Sequence, residues 1–180
     1  MTKWFQTHAK RMADMVTGIR VMIAFSLPWL GLVYGAASLP TAVWLMLTDW
    51  TGDSLDGAIS RRNRPLYHTW LGDHDLEVDI LVSIGLLAYL SSIGVVTLLW
   101  AGLYLAVWFL ILWRWQMPRS LGMFGQAPIY GWFIFTALQT IPTVGGWLLG
   151  WIIVAMIVTW PRFPQEIVPN FLAGIRNLFK

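Results

Sequence analysis

The stretch ILVSIGLLAYLSSIGVVTLLWAGLYLAVWFLILW, from Ile80 to Trp113, carries no charged residue. A helix needs about 17–25 apolar residues to cross a bilayer, so this run, with the residues flanking it, is long enough for a hairpin of two short passes. Ser91-Ser-Ile-Gly94 supplies a turn in its middle. The reading is therefore a membrane-embedded helical hairpin. Two further charge-free runs lie on either side, Val21 to Thr48 and Ser120 to Trp160, and each is also longer than one crossing. Their turns are Gly35-Ala-Ala-Ser-Leu-Pro40 and Ile141-Pro-Thr-Val-Gly-Gly146.

Three hairpins give six expected transmembrane helices, near 15–36, 39–60, 75–94, 97–116, 126–142 and 146–161. Composition agrees, with 57% hydrophobic and only 12% charged residues against roughly 25% charged in an average soluble domain. None of the three turns is charged. Basic residues mark the other segments: Lys3, Lys10 and Arg11, then Arg61, Arg62 and Arg64, then Arg114 and Arg119, and finally Arg162, Arg176 and Lys180. Basic loops stay cytoplasmic. The expected fold class is thus an all-α integral membrane protein with both termini cytoplasmic, placed in the inner membrane. Residues 3–14 and 165–180 read as interfacial amphipathic segments, the latter with Ile167, Phe171, Ile175 and Leu178 on one face. With no repeat and no linker, residues 1–180 form one domain.

Several function classes drop out here. The net charge of +3 is dispersed at membrane boundaries, which is not a nucleic-acid footprint. Cysteine is absent, so there is neither disulfide nor thiol chemistry. No small-residue cleavage site follows the first basic residues, so no signal peptide is expected. The 13 Trp residues suit interface anchoring and helix packing, and no function is assigned to them.

Acid is confined. Of nine acidic residues, only Asp14 and Glu166 fall outside Asp49 to Asp79. At 100° per residue, Asp49, Asp53, Asp56 and Ser60 share an arc of about 60° on the second helix. Gly57 lies beside that stripe and leaves backbone open to close approach. Asp75 and Asp79, four apart, share one face of the third helix, with Asp73 and Glu77 turned away. A short loop joins the two helices, so the stripes should face each other near the cytoplasmic side. Carboxylates so placed repel in low dielectric unless they are protonated, paired with Arg or bound to cations. Arg61, Arg62 and Arg64 lie at or beyond the helix end and cannot neutralise four. Oxygen donors favour Mg²⁺, Mn²⁺ or Ca²⁺ over zinc, and neither His68 nor His74 is counted as a ligand.

The run Asp53-Ser-Leu-Asp56-Gly57-Ala-Ile-Ser60-Arg61, followed by Asp75-x-x-x-Asp79, resembles the signature of the CDP-alcohol phosphatidyltransferase family. That signature reads D-x-x-D-G-x-x-A-R, a gap, then G-x-x-x-D-x-x-x-D. Thr17-x-x-Arg20 resembles part of the family's first-helix pattern, N-x-x-T-x-x-R. There are departures: Ser60 replaces Ala, Gly72 stands one place after the expected position at Leu71, Asp14 takes the place of Asn, and Asp49 is an extra acid.

The resemblance implies transfer of a phosphatidyl group from CDP-diacylglycerol to an alcohol, with release of CMP. It further implies two divalent ions, Mg²⁺ or Mn²⁺, held by Asp53, Asp56, Asp75 and Asp79, with Asp79 also the general base. Gly57, Ser60 and Arg61 would serve the nucleotide side. Arg20 is either a snorkelling positive-inside residue or, with Thr17, part of the site. Arg114 and Arg119 are candidates for a phosphate on the acceptor. Glycerol 3-phosphate is the leading acceptor, giving phosphatidylglycerophosphate. Inositol phosphate, serine and phosphatidylglycerol remain open, because the Gly-Lys-x-Lys-Thr stretch of many glycerophosphate-using members has no counterpart here. The family further implies a homodimer. From a different class, a divalent-cation transporter could use the same stripes, although only Gln139 offers a polar relay through helices 4 to 6.

Overall fold

A computed structural model describes residues 3–62, 75–115 and 119–177, with side chains described for 14–55, 76–115, 120–166, 168–174 and 176. Among these residues there is no strand, and six long helices make the body: α1 Lys3–Tyr34, α2 Leu39–Arg62, α3 Asp75–Ser92, α4 Leu98–Arg114, α5 Arg119–Thr140 and α6 Pro142–Val158. A short α7, Val168–Asn177, follows.

The predicted turns fall where glycine permits them. Gly35 at φ 58° and Gly94 at φ 79° adopt the left-handed region that other residues avoid, and they reverse the chain between α1 and α2 and between α3 and α4. Thr97 then caps α4, its hydroxyl accepting from the Trp100 amide at 3.4 Å.

Three boundaries differ from the sequence expectation. Residues 3–14 are not a separate interfacial segment but the first turns of α1, because no Gly or Pro interrupts the chain before Gly18. The fifth helix begins at Arg119 rather than 126 and carries Pro128 inside it. The Tyr104 hydroxyl donates to the Gly125 carbonyl, next to the Phe124 carbonyl whose i+4 donor Pro128 lacks. The turn between α5 and α6 shrinks to Ile141, since Pro142 is preset for a first helical position. Gly145, expected in the turn, instead packs on α5, where an added β-carbon would stand 2.7 Å from the Ala137 carbonyl carbon.

Close contacts set the arrangement. Arg20, Ala24 and Gly31 of α1 meet Asp79, Gly85 and Ser92 of α3 in the same order, so these helices run parallel. α2 runs back along α1, with Gly52 against Val16. α6 runs with α2, Trp44 beside Trp147 and Thr51 accepting from Trp151 Nε1 at 3.0 Å. α5 lies on α3 through Gly122 and Leu76, and α7 returns to the start of α5 through Gly174 and Ser120. The core is apolar and fully buried at Leu27, Met46, Leu86, Tyr89 and Phe133.

The outside is equally apolar: Met22, Leu32, Leu98, Trp113 and Val158 are each at least two-thirds exposed. One helical run among the described residues, Asp14–Leu55, is long and apolar enough to cross a membrane, and it is folded back on itself at Gly35.

Gly85 is the tightest point of the α1–α3 contact, and a β-carbon there would collide with the Ala24 carbonyl oxygen. Backbones approach this closely only through small residues. Gly85→Ala should push the helices apart and cost about 1–3 kcal/mol. The check is a lower thermal midpoint in detergent, and an unchanged midpoint would contradict the contact.

Candidate functional site

The site is built around one guanidinium. Arg20 projects from α1 into the angle between α2 and α3 and is only 2% exposed. Its Nε donates to Asp49 Oδ1 at 3.0 Å, its Nη1 to Asp53 Oδ1 at 3.3 Å and its Nη2 to Asp79 Oδ1. A snorkelling arginine keeps its head in water, and this one does not. Arg20 instead lies among the carboxylates of α2 and α3.

Helical periodicity explains the fan. Asp49 and Asp53 are one turn apart on α2, so one flat donor fork spans both. Asp79 comes to the same fork because α3 runs beside α1 with its first turns level with Arg20. The carboxylates differ in access: Asp49 is 1% exposed, whereas the Asp53 side chain is 48% and the Asp79 side chain 19% exposed. Asp49, the residue outside the family pattern, is thus the buried anchor of Arg20. Thr17, one turn before Arg20 on α1, is likewise buried at 1% exposed.

Asp56, Gly57, Ser60 and Arg61 lie on the last helical turns of α2, and Asp75 opens α3. Their side chains fall outside the described set, as does that of Arg119 at the start of α5. His68, Leu71, Gly72, Asp73, His74 and Arg64 fall outside the described residues. Arg114 is exposed at the end of α4, its guanidinium 5.6 Å from the Trp115 ring. Nothing described joins it to the acidic cluster.

Of the four expected metal ligands, Asp53 and Asp79 have described side chains, and both reach the Arg20 fork. Among the described residues no three His, Cys, Asp or Glu side chains form a metal-holding group. The donors fit a hard divalent cation in kind, since they are carboxylate oxygens only. Among the described side chains, Arg20 meets three carboxylates at the fork, and Asp56 and Asp75 stand about a turn away along the same two helices.

An apolar groove of about 680 Å³ opens beside the cluster. Val16, Ile19 and the Arg20 stem form one side, Leu47 and Leu55 of α2 the floor, and Trp147 and Val154 of α6 the other side. Gly150 lines it with open space around its α-carbon.

α5 contributes a residue to which the sequence reading gave no role. Gln126 is 7% exposed, and its Nε2 has no hydrogen-bond partner. Its Oε1 receives the Tyr130 hydroxyl at 3.5 Å, and the Tyr130 ring stands edge-on to Trp50 of α2 at 6.0 Å. A glutamine in a segment without charge from Ser120 to Trp160 was the available signal. Its direction required the tertiary fold.

No family model matches the chain, and no curated protein or solved structure matches it.

Proposed function

We propose that the chain is a membrane-embedded CDP-alcohol phosphatidyltransferase. It would cross the bilayer six times, α1 to α6, with both ends cytoplasmic. The observation that carries this reading is the meeting of Asp53 and Asp79, from two different helices, on one buried guanidinium beside an apolar groove. The motif resemblance gives those two residues a chemistry. The groove suits a lipid chain, being of ordinary ligand-site size and lined almost wholly by apolar groups. The apolar exterior of the bundle supports a bilayer as its surroundings.

In this reading Asp53, Asp56, Asp75 and Asp79 would hold two divalent ions, Mg²⁺ or Mn²⁺. Such ions, when bound, neutralise charge on a diphosphate. The protein's own groups do the rest. An acceptor hydroxyl oxygen attacks the phosphorus on the diacylglycerol side, and its proton passes to the Asp79 carboxylate. The bond from that phosphorus to the bridging oxygen breaks, and the electron pair leaves with CMP. Arg20 fixes the angle of Asp53 and Asp79, so that the base meets the hydroxyl in one orientation. Glycerol 3-phosphate is the leading acceptor.

The test is CMP release from CDP-diacylglycerol by protein purified in detergent, with Mg²⁺ or Mn²⁺. Glycerol 3-phosphate, inositol phosphate, serine and phosphatidylglycerol would be offered in turn. Release with one of them is the expected result, and release with none would sink the enzyme reading.

The groove carries its own prediction. In Gly150→Phe the ring would fill space needed by two to four methylenes of an acyl chain. At roughly 0.8 kcal/mol per methylene, the KM for CDP-diacylglycerol should rise about 10-fold or more, with the KM for the acceptor unchanged. A lipid KM equal to wild type would detach the groove from the substrate.

A further inference from the structure

The geometry points to Gln126 as the residue that binds the acceptor alcohol, its Nε2 donating to an oxygen of that alcohol other than the attacking one. This rests on the phosphatidyl-transfer reading and names the part of the site the motif leaves blank.

Three observations converge on this placement. First, a buried amide N–H without a partner is costly, and native proteins leave few such groups unexplained. Gln126 Nε2 is one, on a residue more than nine-tenths buried. Second, the oxygen end of the amide already has a neighbour: the Tyr130 hydroxyl, one turn on, lies 3.5 Å from Oε1, so the amino group is the end left for a ligand. Third, the register of α5 brings it to the right level. Gly122 sits on Leu76, and α3 and α5 both run away from the acidic end of the bundle. One turn further along each, Gln126 comes level with Asp79 and Ile80. Gly122, Gln126 and Tyr130 share one face of α5. Tyr130 itself lies within electrostatic reach of Asp49, Asp53, Asp79 and Arg20. Asp79 supplies the base from α3, and Gln126 supplies an amide donor from the facing helix.

A neutral amide chooses its ligand differently from an arginine. It recognises a hydroxyl or carbonyl oxygen at short range and adds no charge to a site already rich in acid. The acceptor class this fits is a small polyol or hydroxy acid with at least two oxygens. One oxygen reacts beside Asp79, and the other takes the Gln126 N–H. A site built to hydrogen-bond such an oxygen discriminates strongly against a ligand that lacks it.

The experiment compares wild type with Gln126→Glu and Gln126→Leu in detergent. Gln126→Glu keeps the shape and the oxygen that Tyr130 contacts but removes the donor. The KM for whichever of glycerol 3-phosphate, serine or inositol phosphate the wild type uses should rise at least 10-fold in both variants. The KM for CDP-diacylglycerol should stay within twofold of wild type. Without substrates, Gln126→Leu should melt close to wild type, because loss of the long Tyr130 contact at 3.5 Å is offset by removal of a buried donor that lacks a partner. A residue with a merely structural role would melt lower and would raise both KM values together. An acceptor KM within twofold of wild type in Gln126→Glu would overturn the assignment while leaving the enzyme reading intact. Absence of CMP release by wild type with every acceptor would overturn both.

Discussion

Arg20→Met is expected to lower stability by about 3–5 kcal/mol, the usual effect of removing one partner from a buried charge pair. The reason is Asp49. Its carboxylate is 1% exposed and has Arg20 at 3.0 Å, so without the guanidinium it faces low dielectric beside Asp53 and Asp79. Methionine preserves most of the apolar stem, which confines the effect to the charge. The double variant Arg20→Met with Asp49→Leu should recover part of the loss, because it deletes the most buried of the three acids and fills its space with methyl groups. Thermal midpoints in one detergent, read by circular dichroism, decide the matter. A single variant as stable as wild type would mean that Arg20 does not organise the cluster.

Asp79→Asn is expected to reduce CMP release by about 10²–10⁴-fold, the range that a positioned general base contributes. The substitution is close to isosteric, and its side-chain oxygen can still accept from Arg20 Nη2, so the helix contact survives. What is lost is the capacity to take a proton. The checking measurement is initial rate at saturating acceptor, alongside a thermal midpoint near that of wild type. More than about a tenth of wild-type activity would remove Asp79 from the base role. Together the two variants separate the two roles proposed at one fork, organisation of the cluster by Arg20 and proton transfer at Asp79.

Much of the fold was legible in the chain. The charge-free runs became helices, and Gly35 and Gly94 stood in the turns later found at positive φ. Where the expectation slipped, local rules competed with packing. The fifth helix was expected to begin at 126, yet α5 begins at Arg119 and carries Pro128 inside it. Gly145 read as turn, yet its missing side chain serves the α5–α6 contact.

The candidate site divides the same way. The sequence by itself determined that acid gathers on one face of α2 and one face of α3, because helical periodicity fixes which residues share a face on a single helix. It also determined that these faces belong to neighbouring segments. Only the tertiary structure decided what stands between them. Arg20 could be drawn to water or to carboxylates, and both choices satisfy the local sequence. The parallel packing of α1 on α3 through Ala24 and Gly85 settled it, by setting the guanidinium level with Asp79. Asp49 likewise changed from an extra acid to the buried anchor of that guanidinium, and Gln126 from an unremarked amide to a buried one whose oxygen faces the Tyr130 hydroxyl and whose nitrogen has no partner. Periodicity acts within one helix, whereas the partner of a buried charge is chosen by which helices touch and at what depth.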